Sequence, residues 1–126
     1  MAHHEDLSLL LARMEEAWNE GDAAAYARVF SSDAVYVNRS GAVWEGRPAI
    51  EEGHALALAG ALAGTTLALR PIHVALPALT VAVACVDVQL ASDDETIRAV
   101  TTLVASRDAG EWTIIAAHTS EAAPVH

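Results

Sequence analysis

A few side chains in this sequence set a proton-transferring or hydrogen-bonding group among apolar neighbours, the combination from which small-molecule sites are built. His54 falls one helical turn after Ile50 and one before Leu58, so it shares their apolar face. An imidazole there can move protons in a dry site, or it can be a buried, hydrogen-bonded structural histidine. Tyr36 and Asn38 stand two apart in a run of β-formers, so strand parity gives a phenol and a carboxamide one shared face. They can hold a substrate or satisfy the backbone and each other. Asp87 interrupts the apolar run 81–88, where a carboxylate must find a partner or shift its pKa upward. It is a second acid/base candidate or one half of an ion pair with Arg98. His118 keeps the parity of Trp112, Ile114 and Ala116: an inward face would aim it into an interior near its mouth, and an outward one would make it a solvent or dimer-interface residue. Trp18 and Trp44 offer flat surfaces to an aromatic ligand, and both are equally at home in a plain core.

Other chemistries lack their residues. All seven basic residues are arginine, so no lysine is present to form a Schiff base. One cysteine, Cys85, allows neither an internal disulfide nor a cysteine-based zinc site, which suits a reducing cytoplasm. His54, His73 and His118 share no ligand spacing, so no metal is expected, and no glycine-rich loop follows a strand to hold a dinucleotide. A net charge of -10 repels nucleic acid and anionic membranes, and no apolar run is long and uncharged enough to span a bilayer. The expected ligand is a hydrophobic small molecule, handled without a cofactor.

The elements that must position these groups follow from spacing. Leu7, Leu10, Leu11, Met14, Ala17 and Trp18 recur at helical intervals, Gly21 ends that helix, and Asp22 opens a short second one through Tyr26 to Phe30. Residues 34–39 and 42–45 read as a hairpin across Ser40-Gly41, and Pro48 starts a third helix that Gly60 and Gly64 close. Strands follow at 66–76, 80–91, 96–107 and 111–120, with Pro77 as the first separator. Helices in front of a strand meander imply a single α+β domain over 1–126, the three helices on one face of a mostly antiparallel sheet, with residues 1–5 and 121–126 as tails. The sheet's other face is apolar too, which predicts a homodimer through it.

Trp18-Asn19-Glu20-Gly21-Asp22, then Phe30-Ser31-Ser32-Asp33-Ala34, then Asn38 to Arg47 with His54 after it, and finally Trp112 to Thr119, resemble the SgcJ/EcaC family in the SnoaL-like branch of the nuclear transport factor 2-like superfamily. The resemblance covers nearly the whole chain. It implies a cone-shaped fold with a curved sheet, and a place in bacterial natural-product pathways. Superfamily members isomerise ketosteroids, dehydrate or cyclise polyketides, open epoxides, or only bind and dimerise. Tyr36 and Asn38 resemble the Tyr-x-Asn of limonene-type epoxide hydrolases, whose Arg-x-Asp is Cys85-Val86-Asp87 here. The aspartate base of ketosteroid isomerases aligns with Asn38, a carboxamide that takes no proton at neutral pH. The leading expectation is isomerisation, cyclisation or dehydration of a polyketide-like intermediate, with His54 as acid/base. Asp87 and His118 would assist, while Tyr36, Asn38, Trp44 and Trp18 contact substrate. The alternatives are epoxide opening by Asp87 with Tyr36 and Asn38, and a non-catalytic ligand-binding or accessory dimer.

Overall fold

The computed structural model describes residues 2–122, with side chains from Leu7 onward. Helix α1 (Ala2–Asn19) buries Leu7, Leu10, Leu11, Met14, Ala17 and Trp18, the stripe predicted by their spacing. Its backbone is helical from Ala2, so residues 2–5 are not a loose tail. Gly21, at φ 70°, ends it: Asp22 N–H donates to the Ala17 carbonyl and Gly21 N–H to that of Trp18, both at 2.8 Å. This paired closure needs the left-handed backbone that glycine adopts freely. The Asp22 carboxylate then accepts from Ala25 N–H at 3.0 Å and caps α2 (Ala23–Ala27).

Phe30, expected to close α2, instead opens strand β1 (Phe30–Val37). Ile114 N–H donates to the Val29 carbonyl and Phe30 pairs with Ile114, so a distant strand captures the chain before the helix can continue. Between Phe30 and Val35 the pairing is irregular, and the Arg47 guanidinium holds the loosened Phe30 carbonyl with Nε at 3.0 Å and Nη2 at 2.7 Å. Strand β2 (Val43–Glu45) folds back on β1, and α3 (Arg47–Ala59) starts with Pro48 in its first turn.

Strands β3 (Thr66–Ala78), β4 (Val81–Ala91), β5 (Thr96–Asp108) and β6 (Glu111–Glu121) complete one sheet in the order β2-β1-β6-β5-β4-β3. All its pairings are antiparallel except β1 with β6. Pro77, expected between strands, lies inside β3, which tolerates it because β3 is a sheet edge. That edge is covered in part by α1: Leu67 N–H donates to Asn19 Oδ1 at 2.8 Å and Leu69 N–H to Glu15 Oε2 at 2.6 Å. Of the expected C-terminal tail, Glu121 belongs to β6, and residues 123–126 lie outside the described residues.

One irregularity matters for the site. Val104 pairs with Ala116 and Ala105 with Ile114, so Ile115 is the extra residue of a bulge in β6. Trp112 and Ile114 are buried before it, and Ala117 and Thr119 after it, so the strand's inward parity switches at Ile115. The α+β architecture stands as expected, with three helices on the concave side of a six-stranded sheet. No described helix is long and apolar enough to cross a membrane.

Candidate active site

Between the helices and the concave sheet lies a cavity of about 500 Å³, lined mostly by apolar side chains such as Leu11, Leu67, Val86, Leu90 and Leu103. His54 enters it from α3. Its Nδ1 donates to the Ile50 carbonyl at 2.8 Å, and since a carbonyl only accepts, Nδ1 carries the proton and Nε2 presents a bare lone pair. Nε2 hydrogen-bonds to no described residue and is not sealed in protein, so its lone pair is open to the cavity.

Four aromatic rings surround this imidazole, with centroids at 4.6 Å (Tyr26), 4.9 Å (Tyr36), 5.2 Å (Trp44) and 6.1 Å (Trp18). Water is thereby removed from a side chain only 4% exposed, and burial pulls its pKa from 6.5 down to about 4 against the opposing pull of the Ile50 carbonyl. His54 is therefore neutral at pH 7.

Tyr36 lies across from it on β1, stacked on Trp44 at 5.4 Å and 14°. Its hydroxyl meets Thr119 Oγ1 at 2.9 Å, and Thr119 Oγ1 meets Thr101 Oγ1 at 2.7 Å. Three hydroxyls on three adjacent strands thus form a polar strip on an otherwise apolar wall. Burial raises the Tyr36 phenol, while the Thr119 hydrogen bond and the Arg39 charge pull it down. Burial also lifts Tyr26 well above its ordinary value, and the nearby Tyr36 adds to the rise. Both phenols keep their protons. Among the described residues, the only charged side chains lining the cavity are Arg39 and Glu121, which pair at 3.9 Å with the carboxylate largely in solvent.

The structure gathers Trp18, Tyr36, Trp44 and His54 around this cavity and separates the other candidates from it. Asn38 reaches only the rim, and its carboxamide oxygen is committed to the β1–β2 turn, accepting from Ser40 N–H (3.0 Å), Ala42 N–H (2.9 Å) and Ser40 Oγ (2.8 Å). Asp87 lies on the opposite, convex face: its neighbours Val86 and Val88 line the cavity, while its carboxylate pairs with Arg98 at 3.6 Å and Arg70 at 3.5 Å. The ion pair, not the pocket acid, is what the sheet builds, so Asp87 cannot join Tyr36 and Asn38 around one water. His118 is exposed on that same outer face beside Thr102, because the Ile115 bulge breaks the parity it would share with the buried Trp112 and Ile114.

Sequence reasoning missed Thr101, Thr119, Tyr26 and Gly53. Thr101 carries a signal, as a hydroxyl in the alternating series Ala99, Leu103, Ala105 of buried residues. Thr119 was masked by the bulge. Gly53 faces Trp44 so closely that a Cβ there would lie 2.5 Å from the indole Cζ2. Among the described residues, no group of three His, Cys, Asp or Glu side chains is placed to hold a metal ion.

The comparisons agree with this architecture. The model of a SnoaL-like domain matches residues 8–125. No curated protein matches the chain. The structure is similar to a domain of unknown function with a cystatin-like fold from Nostoc punctiforme, with TM-score 0.90, 21% identity and 99% of this chain on 80% of that one. It is also similar to an NTF-2 like protein from Shewanella oneidensis (TM-score 0.84, 21% identity, 94% and 98% covered). A ketosteroid isomerase-like protein from Erwinia carotovora superposes with TM-score 0.78 at 13% identity, covering 95% and 96%.

Proposed function

This chain belongs to the family of SnoaL-like domains, and from that premise we propose that it isomerises, cyclises or dehydrates a hydrophobic, polyketide-like ring compound by proton transfer at His54. One observation carries the reading: an imidazole buried in the cavity, with Nδ1 spent on the Ile50 carbonyl and Nε2 left as an acceptor. Nε2 takes the proton, the hydroxyl strip gives a hydrogen bond to the ligand oxygen, and Trp44 packs against its ring. The likeness to a ketosteroid isomerase-like protein supports the same class of step at the level of the fold. The test is conversion of a β,γ-unsaturated cyclohexenone to its conjugated isomer, followed by ultraviolet absorbance. His54→Leu should abolish the acceleration over buffer that the parent gives. Equal rates for variant and parent would remove His54 from the mechanism.

A second reading is a binding or carrier domain that sequesters a ligand without turning it over. It is favoured by the outward placement of Asp87 and His118, the two side chains expected to share proton transfer with His54. Tight binding without turnover in the same assay would select it. We further propose self-association through the convex sheet face, where Val35, Val37, Val83 and Val104 are only half-buried. Sedimentation at micromolar concentration should give twice the chain mass, and Val83→Lys should halve it.

A further inference from the structure

The polar groups of the cavity restrict what can fill it. The strip Tyr36–Thr119–Thr101 holds three hydroxyl protons and two hydrogen bonds, so whichever way its bonds run, one proton is left without an acceptor among the described residues. Tyr36, Thr101 and Thr119 all line the cavity, so that proton belongs to its wall. Beside the strip His54 Nε2 is a spare acceptor, for the Tyr36 and His54 rings touch edge to face with centroids 4.9 Å apart. A spare donor and a spare acceptor therefore share one small region of an apolar wall. Tyr26 lines the same cavity, and its hydroxyl hydrogen-bonds to no described residue. Among the described residues no charged side chain lines the inner cavity, since Arg39 and Glu121 meet at its rim, so an ionised group carried inside would lose its hydration without gaining a partner among them.

A carbonyl oxygen answers the donor and leaves Nε2 empty. An ether does the same, and a hydrocarbon answers neither. A hydroxyl answers both at once, accepting from the strip through its lone pair and donating its proton to Nε2. We infer that the ligand is an uncharged ring compound bearing a hydroxyl, held by that oxygen between His54 and the Tyr36–Thr119–Thr101 strip, which makes Thr101 and Thr119 specificity-determining residues. The inference rests on the proposal that this cavity is the ligand site, and it names the functional group that the site selects.

Three probes of one ring size separate the contributions: cyclooctanol donates and accepts, cyclooctanone only accepts, and cyclooctane does neither. Their dissociation constants are read from the fluorescence of Trp18 and Trp44, both on the cavity wall. In the variant Tyr36→Phe/Thr101→Val/Thr119→Val, alcohol and ketone should each weaken relative to cyclooctane by at least about fivefold, with cyclooctane itself changed by less than about twofold. In His54→Leu only the alcohol should weaken, because the ketone had no proton to give. A merely structural role for the threonines would move all three probes together. Replacing all members of a hydrogen-bonded set by apolar groups of like shape keeps the core satisfied, and circular dichroism checks the fold. Tyr36→Phe alone, which leaves the two threonines bonded, should give the same pattern at reduced size. If all three probes bind the parent and their ratios are unchanged in the variants, the inference falls while the cavity remains the ligand site. If none of the three binds the parent, the ligand-site proposal falls with it.

Discussion

Replacing His54 by leucine should remove a defined part of this protein's acid sensitivity. Burial holds the folded imidazole near pKa 4, whereas an unfolded histidine titrates near 6.5. The lowered folded value fixes the sign. Below pH 6.5 the unfolded chain takes up a proton that the folded one refuses, so stability falls as pH drops from about 6.5 to about 4 and levels off below that. Integrating the two titrations from pH 7 to pH 4.5 gives a loss of about 2 kcal/mol from this one residue. The assay is urea unfolding followed by circular dichroism, at both pH values, for parent and His54→Leu. The many carboxylates act on both proteins alike and cancel in the difference. The parent should therefore lose roughly 2 to 3 kcal/mol more than the variant over this interval. A gap below about 0.5 kcal/mol would mean that the imidazole is hydrated in the folded state and that the picture of a dry, neutral His54 is wrong.

Two further substitutions test the walls of the site. Gly53→Ala puts a methyl group 2.5 Å from the Trp44 indole, which is stacked on Tyr36 and cannot retreat freely. Although alanine favours a helix, overpacking should win and cost about 1 to 3 kcal/mol in urea unfolding, with weaker cyclooctane binding as the indole is pushed into the cavity. Asp87→Asn, on the convex face between Arg70 and Arg98, should leave the affinities of all three cyclooctane-ring probes and the cyclohexenone rate unchanged. A loss of either would return Asp87 to the site.

What the sequence disclosed and what it hid divide along a physical line. Helix α1, its glycine closure and the Asp22 cap are local events, governed by residues within a turn or two, and the spacing of Leu7 to Trp18 specified them. His54 was legible for the same reason, since helical phase runs unbroken from Ile50. Strand parity is just as local, yet one extra residue inverts it. Ile115 is that residue, and it turned His118 out and Thr119 in without any change of composition to announce it. Phe30 was misassigned because its partner, Ile114, is far along the chain. Asn38 had the right parity, but a turn three residues long claimed its oxygen, a competition that alternation patterns do not register.

The low pKa of His54 also limits the kind of reaction the cavity can support. At neutral pH the whole population is in the proton-accepting form, so the difficulty lies in the charge created when Nε2 is protonated. Among the described residues no carboxylate pairs with the imidazole: Asp87 is on the far side of the sheet and Glu121 meets Arg39 at the rim. The Ile50 carbonyl and the encircling aromatic rings can take up part of that charge. The remainder must be balanced by negative charge developing on the ligand itself, close to the hydroxyl strip. Such a site passes a proton out and back within one bound molecule more easily than it releases one to water. Shifting a double bond, or handing the proton to a departing hydroxyl, satisfies that condition. Activating a free water for attack on an epoxide fits this site less well, since the carboxylate that lines the cavity among the described residues, Glu121, sits at the rim beside Arg39 rather than next to His54.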